Sequence, residues 1–150
     1  ACNPAGVKRQ LIGVARPDFM PVYAGALELL GYDDVMLVAG DEPLDELSIS
    51  GPSSFIRLGR PVERITPKDA GLPSHPGEDA DYNAEALRRL LAGTQETPQD
   101  RAYRDAVLFN AAAALIIAGN ADDWRSGAEE AAEAIDKGLA KALLDCWVNF

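Results

Sequence analysis

Histidine and cysteine are scarce in this 150-residue sequence, basic residues are outnumbered by acidic ones, and long apolar runs are lacking. Its one histidine, His75, lies in Pro73-Ser74-His75-Pro76-Gly77, and without a second histidine a zinc site is poorly provided for. A Ser–His–Asp arrangement would need His75 held by more than a Pro-rich loop, so it reads as an exposed loop histidine. The two cysteines, Cys2 and Cys146, stand at opposite ends of the chain. They make no disulfide framework and fit a reducing cytoplasm, with Cys146 expected on a buried helix face. No apolar run approaches the ~20 residues that span a bilayer. The first nine residues, Ala1 to Arg9, lack a signal peptide's apolar core. Lys plus Arg number 14 against 24 Asp plus Glu, a net charge of -10. Such a surface repels a phosphate backbone, which argues against generic nucleic-acid binding. No glycine-rich turn opens a helix, no bases cluster, and no internal repeat is visible.

What is present is ordinary for one globular domain. The hydrophobic fraction is 47% and the charged fraction 25%, and a chain of this length buries roughly 70% of its unfolded surface. Gln10 to Ala15 is a strand candidate. Asp18 is a plausible N-cap for a helix carrying Met20, Tyr23, Leu27 and Leu30 at helical spacing, with Gly31 as its stop. The apolar run Val35-Met36-Leu37-Val38-Ala39 has no period and ends at a glycine, as expected of a strand covered on both faces. Strand, helix and strand within about thirty residues make a βαβ unit with two parallel strands.

Directly after the second strand comes Gly40-Asp41-Glu42-Pro43-Leu44-Asp45-Glu46-Leu47-Ser48, with four carboxylates in six residues. Ligands of open α/β sheets bind beyond the carboxyl ends of the strands. An acidic loop suits an anionic substrate there only with a hard cation between them. Magnesium takes one or two protein carboxylates and completes its octahedron with water and phosphate oxygens. One reading is therefore a magnesium site on Asp45 and Glu46 for a phosphorylated ligand. The other is a solvated turn in which Asp41 or Asp45 caps a helix.

Further along, Phe55 to Leu58 and Val62 to Ile65 flank Gly59-Arg60-Pro61 as a short antiparallel pair. Thr66 to Asp81 is a loop with one brief turn at Pro67 to Gly71, long enough to serve function or to pack on something outside the chain. The remainder is helical. Ala84, Leu87 and Leu91 share a face that ends at Gly93, and Gln95 to Asp100 is a polar break. Arg104 to Ala118 forms a helix whose run Ala111 to Ala114 suits close approach to a neighbour. A final stripe runs through Trp124, Ala128, Ala131, Ile135, Leu139, Ala142 and Cys146, with a bend near Gly138, and is expected to be core. The fold class is α/β: parallel strands, a small hairpin and a helical C-terminal half.

Three stretches resemble the C-terminal part of the anthranilate phosphoribosyltransferase family: Asn3 to Val14, Leu44-Asp45-Glu46-Leu47-Ser48 with Gly51-Pro52, and Arg104 to Leu115. Their order and spacing also fit, over essentially all 150 residues. The resemblance implies the large α/β domain shared by nucleoside phosphorylases and phosphoribosyltransferases, with a small helical domain beside it. It implies transfer of phosphoribosyl from phosphoribosyl pyrophosphate to anthranilate, in tryptophan biosynthesis, with release of pyrophosphate. Asp45 and Glu46 then take the family's magnesium-anchoring role, while Asp41 and Glu42 fall off the ligand positions. The family's helical domain, its glycine-rich phosphate loop and its anthranilate-binding arginine have no counterpart here. The expectation is a fragment spanning the C-terminal portion of the α/β domain, inactive alone, from a cytoplasmic enzyme that is a homodimer at full length. Two other readings are a non-enzymatic, nucleic-acid-binding relative of the same fold and an interaction module using the loop from Thr66 to Asp81. The net charge of -10 and the Asp45-Glu46 pair count against the nucleic-acid reading.

Overall fold

The chain is built around one strand, β2 (Asp34–Gly40), whose residues are buried from Val35 onward. Successive side chains of a strand point to opposite faces, and here each face has its own core. Val35, Leu37 and Ala39 meet Met20, Ala24 and Leu27 of helix α1 (Met20–Leu29). Met36 and Val38 meet Phe109, Ala112, Ala113 and Ile116 of helix α3 (Pro98–Ala118). Burial on both faces is why the run has no polar alternation. This computed structural model describes residues 5–42, 44–75 and 83–150. Cys2, the Asn3-Pro4 start of the first motif, Pro43, the far part of the expected loop, 76–81, and Tyr82 lie outside them.

Strand β1 (Arg9–Gly13) pairs in parallel with β2, from Arg9 opposite Asp34 to Gly13 opposite Val38. Helix α1 connects the two, as the βαβ reading expected. Strands β3 (Ser53–Arg57) and β4 (Glu63–Ile65) form the expected hairpin, with Phe55 opposite Glu63. The hairpin also extends the main sheet, because β3 pairs antiparallel with β2. The result is a mixed sheet in the order β1-β2-β3-β4.

After the sheet come α2 (Asn83–Leu91), α3, α4 (Trp124–Asp136) and α5 (Leu139–Val148). Helix α3 starts earlier than its apolar pattern, because Thr97 and Asp100 form a reciprocal cap that Arg89 reinforces at 2.7 Å. The small-residue run does its expected work: a Cβ on Gly127 of α4 would stand 2.9 Å from the Ala112 Cα. Trp124 closes this core, edge-on to Phe55 at 5.3 Å and tilted to Phe109 at 5.9 Å.

Four expectations need correction. Asp18 does not cap α1; its carboxylate pairs with Arg16. Tyr23 and Leu30 are exposed, and the buried face of α1 is Met20, Ala24 and Leu27. The last stripe stops being core at Ile135, and α5 contains no buried residue. Gly138, at φ 71°, ends one helix and re-aims the next, so the periodicity continues while the packing does not. Cys146 is consequently exposed rather than buried.

Candidate functional site

The acidic loop leaves β2 at its carboxyl end and folds back over the ends of both parallel strands. The Gly40 amide donates to the Leu44 carbonyl at 2.9 Å, closing the first turn of the loop. Beside it, a Cβ on Gly13 would fall 1.8 Å from the Asp45 carbonyl oxygen. Only glycine lets the end of β1 and the loop backbone come this close.

The four carboxylates of the loop divide into two kinds. Asp41 is bound in a forked ion pair by Arg64 of β4, one arm at 2.6 Å, and this partner holds its carboxyl below the usual range. Glu42 accepts from the Ser48 hydroxyl and, at 2.8 Å, from Ser50. These hydrogen bonds, Ser48 first, lower its pKa as well. Asp45 and Glu46 are exposed, and no hydrogen bond or ion pair among the described residues engages either carboxylate. No third His, Cys, Asp or Glu among the described residues joins them in a metal-holding group. Two free hard oxygen donors suit magnesium, which leaves its remaining positions to water and substrate oxygens. Asp41 and Glu42 are exposed as well, but both are hydrogen-bonded into the frame of the loop.

Immediately after this pair the chain dives inward. Leu47 is 2% exposed and joins the core that Phe109, Ala113 and Val38 share. Its amide donates to Asn110 Oδ1 at 2.9 Å, and Asn110 Nδ2 donates to its carbonyl at 3.0 Å. Ser48 is buried, its amide donating to the hydroxyl of buried Ser53 at 2.9 Å. The far end of the loop is tethered too: the His75 amide donates to the Ile49 carbonyl at 2.9 Å.

His75 is thus not an exposed loop histidine. Its ring nitrogen Nε2 lies 2.6 Å from Asp105 Oδ2 of α3, and only 19% of its side chain is exposed. Composition hid this pairing because its partner sits 30 residues away. No role in the site was read for Asn110, Arg64, Gly13, Ser48 or Ser53. Gly13, Ser48 and Asn110 fall within the three stretches that carry the resemblance, and Asn110 also shows as a polar residue interrupting the apolar run from Ala106 to Ile117.

The family described as the glycosyl transferase family, a/b domain, matches residues 2–141. The anthranilate phosphoribosyltransferase of Novosphingobium aromaticivorans is 55% identical over 97% of this chain and 45% of its own length. That of Sphingopyxis alaskensis is 53% identical over 99% of this chain and 46% of its own length. The chain therefore spans about half the length of the curated relatives it matches. Among solved structures, the Thermus thermophilus anthranilate phosphoribosyltransferase superposes with a TM-score of 0.78 at 32% identity, over 91% of this chain and 41% of that one. The Saccharomyces cerevisiae enzyme in complex with PRPP and Mg gives a TM-score of 0.81 at 24% identity, over 94% and 40%, and shows the shared fold. No helix among the described residues is long and apolar enough to cross a membrane. With residues 2–141 matched, this chain belongs to the glycosyl transferase family, through its a/b domain.

Proposed function

We propose that residues 1–150 form the C-terminal portion of the α/β domain of an anthranilate phosphoribosyltransferase. The complete enzyme would join phosphoribosyl from phosphoribosyl pyrophosphate to the amine of anthranilate and release pyrophosphate, in tryptophan biosynthesis. The observation that carries this reading is the pair Asp45 and Glu46. Among the described residues, they are the two carboxylates of the acidic loop that no hydrogen bond or ion pair engages, in a chain 55% identical to a protein of that name. A bound magnesium would neutralise the charge that gathers on pyrophosphate as its bond to ribose loosens. This chain would supply two carboxylates at the ligand-facing rim, held out by a buried leucine and a clamped backbone. Binding of phosphoribosyl pyrophosphate and anthranilate is assigned to the complete enzyme, which we take to be a cytoplasmic homodimer. A net charge of -10 gives the nucleic-acid-binding alternative no support.

The test is the double variant Asp45→Ala, Glu46→Ala in the full-length enzyme. Phosphoribosyl transfer should fall by ~10²-fold or more, the scale of losing a group that stabilises developing charge. The melting temperature should move little, because both side chains are exposed. Normal turnover in the double variant would reduce the pair to a turn.

A further inference from the structure

We propose that Asn110 is a positioning residue for the carboxylate pair, setting from helix α3 the direction in which Asp45 and Glu46 leave the loop. The inference rests on the metal reading above. Its basis is which peptide groups the side chain holds. The Leu47 amide belongs to the peptide joining Glu46 to Leu47, and the Leu47 carbonyl to the peptide joining Leu47 to Ser48. Asn110 bonds both, at 2.9 and 3.0 Å, as a neighbouring strand would. Rotation of the peptide that carries Glu46 is therefore coupled to α3.

The clamp is itself oriented. The second Nδ2 proton goes to the Ala106 carbonyl at 3.0 Å, one turn back along the same helix. Both donors and the oxygen of the amide are thus in use, and a flipped amide would lose all three bonds. Leu47, buried in the core beneath, stops the loop from sliding along the helix. A second stay acts three residues beyond Glu46, where His75 holds the Ile49 carbonyl and rests its ring on Asp105 of the same helix. Two adjacent carboxylates repel one another and would otherwise splay. A divalent ion needs their oxygens within a narrow range of geometry, which a locked supporting group supplies.

The test uses the full-length enzyme, with magnesium as the probe and two readouts. One is the magnesium concentration for half-maximal transfer; the other is amide hydrogen exchange at Leu47 without metal or substrate. Asn110→Ala should raise the half-saturating magnesium ~10-fold or more, with kcat at saturating magnesium much less affected. Leu47 exchange should quicken at least ~10-fold while Val38 in β2 stays protected. Asn110→Asp, which keeps the acceptor for the Leu47 amide but sets an oxygen against the Leu47 and Ala106 carbonyls, should raise the half-saturating magnesium as well. It carries the test alone if Asn110→Ala does not fold. Wild-type magnesium half-saturation in the folded variants overturns the proposal, even where Leu47 exchange quickens. Asp45→Asn with Glu46→Gln separates the two ideas. If that pair loses its magnesium response while Asn110→Ala keeps it, the positioning role alone fails. If that pair keeps a normal response, the metal reading fails and the positioning role with it.

Discussion

The acidic loop and helix α5 exchange the roles their compositions suggest. The loop is rich in carboxylates, glycine and serine, as solvated turns are, yet Leu47 and Ser48 are buried there, and Asp41, Glu42 and Ser48 are hydrogen-bonded into its frame. Helix α5 carries an apolar stripe of the kind that makes cores, yet Leu139 and Leu143 lie more than half exposed and Trp147 is 71% exposed. Polarity says what a segment can bond to, and periodicity says which residues share a face. Neither says whether the rest of the chain supplies a partner. For the loop it does, through Asn110, Arg64 and His75; for α5, among the described residues, only Ala140 rests against the core that Leu108 and Ile135 share, and no residue of the helix is buried.

Leu47→Ala should break this contrast hardest. Truncating a leucine in a closed core costs about 2–5 kcal/mol. It would also free the loop end that presents Asp45 and Glu46, so chemical denaturation and magnesium-dependent activity should fall together. A loss under about 1 kcal/mol would mean that the loop is not seated in the core at all.

Gly13→Ala comes next. The added methyl carbon would overlap the Asp45 carbonyl, so either β1 or the loop must shift. Forced shifts of this kind cost about 1–3 kcal/mol. Because the displaced group is the backbone of a proposed ligand, activity should suffer more than stability. Equal transfer rates in Gly13→Ala and wild type would separate the loop's fit on β1 from its function.

Glu42 gives a smaller effect with a defined sign. Hydrogen bonds from Ser48 and Ser50 place its folded pKa below the ordinary 4.5. The folded state then binds fewer protons than the unfolded chain, so stability rises with pH across that window. The contribution is complete above the unfolded value and disappears as pH falls through the folded one. Glu42→Gln should flatten the acid limb of a stability–pH curve and leave the neutral limb nearly unchanged. An unaltered acid limb would show that the two hydroxyls do not favour the charged form.

Much of the fold was legible because it follows local rules. The run Val35 to Ala39 reads as a strand buried on both faces, and the turn around Gly59 reads as a hairpin. The four-alanine run marks where α3 meets α4. Asp45 and Glu46 were legible as candidates from the place of the acidic loop after a buried strand, with a solvated turn left open beside that reading; resemblance to a family motif then favoured the metal role. The frame around them was not legible. Asn110 lies 63 residues from Leu47, and Arg64 lies 23 from Asp41. Such pairings arise when the sheet and helices assemble, and no local pattern encodes them. The early start of α3 escaped for a different reason: Thr97, Pro98 and Asp100 look like a break, and together they make a cap.

Leu143 tests the other half of the comparison, with the smallest expected change. Its side chain is 56% exposed in the folded chain, so Leu143→Ser removes little buried apolar area. Surface substitutions of this kind usually fall within about 0.5 kcal/mol of neutral. Serine is a weaker helix former than leucine by a few tenths of a kcal/mol, which sets the direction as slightly destabilising. The informative measurement compares denaturation midpoints for the 150-residue chain and for the full-length enzyme. A negligible shift in both makes the stripe on α5 an exposed face in either setting. A negligible shift in the chain beside a loss of ~2 kcal/mol or more in the full-length enzyme, the scale of a buried leucine, would place a partner over α5. That surface would then be core whose other half lies outside these residues.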